Sequence, residues 1–145
     1  MYTLDGAPPP HYLNAETLTI EDTQDGGLRA SGEVRFPSTD PTIGERGHVN
    51  MAHTLFAVWN VAHALKIFKK PLALESNCKV HKMMRPDTEY SLTACLVGEP
   101  EQFDERRDIQ KVNATISDRV GTVMAEIDAK FCYLRNSQPT DQSKD

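Results

Sequence analysis

GERGHVNMAHTLFAVWNVAHALKIF, residues 44–68, is the stretch whose reading decides the fold. Met51, Leu55, Val58, Trp59, Ala62 and Leu65 recur at helical spacing, so the segment reads as one helix with an entrance marked by glycine and charge. It is expected to end at Lys69-Lys70, before Pro71, where a basic last turn suits the negative end of the helix dipole. Val49, Ala52, Phe56 and Ile67 fill much of the remaining circumference. A sheet on one side alone would leave them exposed, so the helix is expected to be wrapped.

Around this segment the period is two. Leu28, Ala30, Gly32, Val34 and Phe36 form an apolar or small face opposite Arg29, Ser31, Glu33 and Arg35, as a sheet with one wet face requires. The pair Gly26-Gly27 supplies the turn before it. The alternation returns in Tyr90, Leu92, Ala94 and Leu96, in Val112, Ala114 and Ile116, and in Ala125, Ile127, Ala129, Phe131 and Tyr133. A less regular version runs from Leu74 to Met83. The connections RPDT, GEPEQFDERR and DRVG are turn-like, so consecutive strands should be antiparallel.

One or two strands, a wrapped helix and four long strands is an order that resembles the hot-dog fold. That is an α+β architecture in which a curved antiparallel sheet wraps around one long central helix. A curved sheet around one helix leaves an edge and an open end, which a chain of 145 residues manages by pairing with copies of itself. A homodimer or a dimer of dimers is expected. Residues 1–11 read as an irregular N-terminal arm, 12–135 as a single domain and 136–145 as a disordered tail.

The formal charge is -5, from 16 Lys+Arg against 21 Asp+Glu, and argues against a nucleic-acid partner. No apolar run reaches the roughly 20 residues of a membrane span, and the start lacks the regions of a secretory signal; a cytoplasmic protein is expected. Cys78, Cys95 and Cys132 are far apart within alternating segments, which speaks for reduced thiols and against a disulfide framework.

Chemistry concentrates at the helix entrance. Gly47 permits close approach of the backbone, and the unpaired N–H groups of a helix start stabilise a carbonyl oxygen that gains negative charge. Asn50 offers an amide donor to the same oxygen, or serves as the N-cap. His48 moves protons near neutral pH, or is a plain loop residue. His53, Phe56, Asn60 and His63 follow on one helix face. A polar row on an apolar helix points to a wet cavity or to a subunit contact, where histidines bond to carbonyls.

The histidines lack metal-ligand spacing and no carboxylate on the helix joins them, so no metal and no cofactor is expected. There is no Gly-x-Ser-x-Gly elbow either, so water or an external nucleophile must attack.

Gly47-His48-Val49-Asn50 resembles the signature of hot-dog acyl-CoA thioesterases of the 4-hydroxybenzoyl-CoA type. Those enzymes carry an aspartate just before it; here Gly44 takes the nearest place, and the resemblance carries the carboxylate role to Glu45. Gly-His-x-Asn followed by a second helix asparagine is similar to the FcoT-like branch, with Asn50 and Asn60 at the matching positions. That branch also uses a tyrosine ahead of the Gly-His pair. None lies between Phe36 and Gly47, and Tyr12 is the candidate substitute.

The resemblance implies hydrolysis of a fatty acyl-CoA or acyl-carrier-protein thioester. Conjugate addition of glycine to a 2-enoyl thioester on a carrier protein is the alternative within the branch, and a non-catalytic acyl or protein binding module is the alternative outside it. Lys79, Lys82 and Arg85, with Lys66, Lys69 and Lys70, would bind CoA phosphates or an acidic carrier, or form a solvated face.

Overall fold

The computed structural model describes residues 2–24, 27–45, 47–66 and 68–135; Gly26 of the expected turn, Ile67 and the expected tail 136–145 lie outside the described residues. In chain order the elements are β1 (Leu13–Asp22), β2 (Leu28–Arg35), α1 (Pro41–Gly44), α2 (Met51–Ala64), β3 (Lys69–Val80), β4 (Glu89–Gln102), β5 (Arg107–Ser117) and β6 (Val123–Leu134). The strands form one six-stranded sheet in the order β1-β2-β4-β5-β6-β3. Every pairing is antiparallel.

The period-two residues form the face turned to the core. Val34, Phe36, Leu92, Ala114, Ile116, Ile127 and Phe131 are almost wholly buried, and full burial of a side chain of this size contributes about 1.5–3 kcal/mol. Across the middle of the sheet Ala30 pairs with Ala94, Ala94 with Ala114 and Ala114 with Ile127. Three alanines in one row keep that part of the inner face shallow, and α2 buries Ala57, Val58 and Val61 on its sheet side.

Three features differ from the sequence reading. First, the helix is shorter. Residues 44–68 split: Gly44 closes α1, Gly47 adopts the left-handed region at φ 72°, and α2 covers fourteen residues before the backbone extends at Leu65. Second, Lys69, Lys70 and Pro71 belong to β3, not to a helix end. Proline lacks a ladder N–H, which an edge strand tolerates, and β3 is an edge strand. Third, the wrapping is one-sided. Thr54, Ala57, Val58, Val61, Ala62 and Ala64 are buried, whereas Met51 and Ala52 are exposed and Leu55, Phe56, Trp59 and His63 are half-buried.

The arm ahead of β1 packs onto the body: Ala7 is buried, and Tyr2 and Leu4 lie against the core. All three cysteines are free, Cys132 buried and Cys78 and Cys95 half-buried. Among the described residues no helix is long and apolar enough to cross a membrane.

Candidate functional site

Asn50 is the N-cap of α2. Its Oδ1 accepts from the N–H groups of Ala52 at 2.9 Å and His53 at 3.2 Å. In return His53 Nδ1 accepts from the Asn50 N–H at 3.0 Å, so the pair forms a capping box with histidine in the usual Glu or Gln position. This bond assigns the imidazole tautomer: with Nδ1 an acceptor, Nε2 carries the proton of the neutral ring.

Nε2–H then donates to Thr42 Oγ1 at 2.9 Å, and the Thr42 hydroxyl donates to Asp40 Oδ1 at 2.7 Å. Asp40 is itself the N-cap of α1, accepting from the Thr42 N–H at 3.0 Å. Its other oxygen accepts from the Tyr12 hydroxyl at 2.7 Å. One chain of bonds thus joins β1, α1 and α2.

The charges follow from it. Burial lowers the His53 pKa; the Asp40 carboxylate opposes this and the charge of His48 adds to it. The Thr42 hydroxyl, then the Tyr12 hydroxyl, hold Asp40 below its usual range. Burial, followed by the bond to Asp40, raises the Tyr12 phenol. Near neutral pH the chain is therefore a neutral imidazole, a carboxylate and an intact phenol. Asp40 Oδ1 has both lone pairs engaged, while Oδ2 keeps one for a further donor.

These groups line an open cleft of about 700 Å³. Asn50, Ala52, His53 and Phe56 of α2 form one wall, Asp40 and Thr42 another, and Pro9 to Tyr12 of the arm a third. At its head the helix donors are nearly spent. Ala52 and His53 are capped, Thr54 N–H reaches Asn50 O and Val49 N–H reaches Met84 O at 3.3 Å. The Met51 N–H and the Asn50 amide Nδ2 have no hydrogen bond among the described residues. Two adjacent donors at the positive end of a helix suit an oxygen that gains negative charge.

The other expected site residues divide. His48 is half-buried beside Gly47, near enough to act on His53 electrostatically. Gly47 is exposed, with open space where a Cβ would lie; its need for glycine is the left-handed φ rather than a close backbone approach. Glu45 is exposed, caps the C-terminal end of α1, and does not line the cleft.

Asn60 is buried and engages both its oxygen and its nitrogen. Its Oδ1 accepts from Tyr12 N–H at 2.8 Å and Leu13 N–H at 3.3 Å, and its Nδ2 donates to Pro10 O at 3.4 Å. It ties the arm to the helix instead of facing the cleft. His63 lies against Trp59 with ring centroids 5.0 Å apart and planes tilted by 59°, beyond the cleft-lining residues, and its buried Nε2 has no partner among the described residues. Lys79 is exposed on β3 opposite Glu126, and Lys82 and Arg85 are exposed on the β3–β4 connection; none of the three lines the cleft.

Asp40 and Thr42 are the residues the sequence reading missed. Their signal was there: Asp-Pro-Thr is an N-cap followed by proline at the first helical position.

No family model matches the chain, and no curated protein matches it. Solved structures do. The yhdA protein of Lactococcus lactis, a proposed thioesterase, aligns over 83% of this chain and 91% of its own at 10% identity, with a TM-score of 0.58. A hypothetical thioesterase of Streptococcus pneumoniae, solved with coenzyme A, covers 83% and 93% at 12% identity and a TM-score of 0.53. The smu.793 protein of Streptococcus mutans, bound to acetyl CoA, covers 82% and 91% at 10% identity and a TM-score of 0.50. At these identities the likeness is one of fold, and the six-stranded antiparallel sheet with its helix fits the hot-dog fold.

Proposed function

We propose that the protein hydrolyses acyl thioesters, carried by CoA or by an acyl carrier protein, as a homodimer or a dimer of dimers. The observation that carries the reading is that Asn50 lines the same cleft as the Asp40 carboxylate, and that its Nδ2, like the N–H of the next residue Met51, has no hydrogen bond among the described residues. The thioester carbonyl oxygen sits on the two donors. Water held by Asp40 Oδ2 attacks the carbonyl carbon, a C–O bond forms, the C–S bond breaks and the proton passes to the thiolate. His48, half-buried at the same entrance, is the group that carries the proton.

Glu45 cedes the carboxylate role to Asp40, because only Asp40 lines the cleft. Two structural neighbours solved with coenzyme A or acetyl CoA support a CoA-linked substrate.

The test separates capping from catalysis. Aspartate caps a helix as well as asparagine does but has no amide donor, so Asn50→Asp should keep the stability of the fold. It should lower kcat toward acyl-CoAs by about 10²–10³. Unchanged turnover in a folded Asn50→Asp protein would remove Asn50 from the reaction. Mass spectrometry of medium- and long-chain acyl-CoAs and 2-enoyl thioesters, with and without glycine, reads the reaction type. Free acid without glycine establishes hydrolysis, and a glycine adduct formed only from the enoyl substrate replaces it with conjugate addition. No product from any substrate leaves a binding module.

A further inference from the structure

Between β3 and β4 the chain turns at Asp87 through the left-handed region, at φ 60°. A residue with a side chain enters that region at a cost, although aspartate is among those that bear it best. Backbone persists there when surrounding bonds over-determine it, and such positions gather where geometry serves function. The bonds of Asp87 all go to one segment.

Its N–H donates to Phe36 O at 2.9 Å, and its carbonyl oxygen accepts from Arg35 Nη2 at 2.8 Å. Its Oδ1 accepts from the Ser38 N–H at 3.0 Å. Backbone donor, backbone acceptor and side chain of one residue thus grip the run 35–38. β2 ends at Arg35 and Asp40 caps α1, so the gripped run is what carries the chain from the sheet to Asp40. Asp87 is itself exposed, and core packing does not account for its conformation.

The same connection also reaches the other wall of the cleft. Met84 is buried, and its carbonyl oxygen accepts from the N–H of Val49, the neighbour of Asn50. Between the two contacts the Arg85 N–H donates to the Tyr90 hydroxyl at 2.8 Å, which fastens the connection to β4. Roughly 10 Å of extended chain separates residues 84 and 87. One short bracket therefore touches the segment before Asp40 and the segment before Asn50, while Thr42 and His53 join the same walls within the cleft.

Asp40 depends on that placing. Its bonds to Thr42 are local and form wherever α1 lies. Its bond to the Tyr12 hydroxyl spans 28 residues and forms only if the turn ahead of α1 holds its position against β1.

We propose that Asp87 is a positioning residue for the thioester reaction: its left-handed turn braces residues 35–38 so that Asp40 meets Tyr12 and stands across the cleft from Asn50. The inference rests on the reading of Asp40 as the group that holds the attacking water. Asp87 does not line the cleft and acts through Asp40.

Two variants at the brace test it. Asp87→Gly removes the side-chain bond and leaves a backbone that adopts this φ freely. Asp87→Asn keeps an oxygen acceptor on a residue that tolerates the left-handed region. The first readout needs no substrate: the Asp40 carboxyl is titrated by carbon-13 NMR, with its resonance assigned from Asp40→Asn. Thr42 of α1, Tyr12 ahead of β1 and His53 of α2 face that carboxyl, and the Thr42 hydroxyl, then the Tyr12 hydroxyl, hold it below its usual range. Tyr12→Phe should therefore move the titration up, Asp87→Gly should move it up as well, and Asp87→Asn should leave it in place. Because Asp87 acts through the bond to Tyr12, adding Asp87→Gly to Tyr12→Phe should shift it no further. A residue that served stability alone would lower Tm and leave the Asp40 titration where it was.

The second readout is hydrolysis of acyl-CoA. Asp87→Gly should lower kcat and kcat/KM together, by up to about 10²-fold, and Asp87→Asn should restore both. An unmoved Asp40 titration in folded Asp87→Gly, an Asp87→Asn as damaging as Asp87→Gly, or shifts that simply add to those of Tyr12→Phe overturn the inference. Should Asp87→Gly fail to fold, Arg35→Met withdraws an exposed guanidinium from the Asp87 carbonyl and should move the Asp40 titration in the same direction; no movement overturns the brace. A wild type that hydrolyses nothing while its Asp40 titration responds as stated removes the thioester reading and keeps the brace. Turnover with an unresponsive titration does the reverse.

Discussion

Asn60 and His53 both place polar atoms inside an apolar helix, and their partners decide what each does. Asn60 engages Tyr12 N–H, Leu13 N–H and Pro10 O, so Asn60→Leu removes the side-chain partner of two buried backbone N–H groups and of one half-buried carbonyl. A loss of roughly 1–3 kcal/mol in urea unfolding is expected, larger than any direct effect on kcat. The stability of His53 depends on pH. Its folded pKa lies below the ordinary 6.5, because burial disfavours the charged ring and because Nδ1 is tied up as an acceptor. The unfolded chain therefore binds the proton more readily. The contribution is fully present above about pH 6.5 and is lost as pH falls through the folded value. Glutamine can accept from the N-cap in the same box, so His53→Gln should keep the helix start and flatten the acid side of a stability profile measured from pH 8 to 5. His63, whose pKa is also lowered, first by burial and then by His11, supplies a remaining slope that His63→Gln should remove. At this scale the sequence was half legible. Asn50 showed itself as a cap by its place before an apolar helix, whereas the bond of Asn60 to residues 48 positions earlier is a tertiary fact that no spacing along the helix reveals.

α1 is short, yet it sets the wall of the cleft. It seats Asp40 and Thr42, and it packs where Gly44 touches Ser38: a Cβ on Gly44 would lie 2.1 Å from Ser38 O. Because the obstacle is backbone, Gly44→Ala must displace the turn. A loss of about 1–3 kcal/mol in thermal or urea unfolding is expected, with kcat falling as Asp40 moves. Gly47 offers the contrast. No atom obstructs a side chain there, but φ is 72°, so Gly47→Ala should cost about 1–2 kcal/mol and Gly47→Asn less. The strands were legible because one face is wet and the period is clean. The end of α2 was not. Lys69-Lys70-Pro71 carries every mark of a helix stop, and only membership of an edge strand makes that proline compatible with β structure.

The whole molecule leaves one side of its helix uncovered. Apolar residues around α2 suggested full wrapping, but the sheet buries one side, the arm reaches only part of the other, and Met51 stays 56% exposed. The apolar circumference of the helix led to the expectation of full enclosure, and the fold of one chain supplies only part of it. If a second copy covers that side in the proposed dimer, folding and association are one equilibrium, and stability must rise with protein concentration. Each tenfold increase contributes about 1.4 kcal/mol per dimer. For a chain of this size that is a rise in Tm of roughly 2–3 °C per tenfold, readable by scanning calorimetry over a wide range of concentration. A Tm independent of concentration in the wild type would mean that the open side of α2 faces solvent, and that the cleft is complete within one chain.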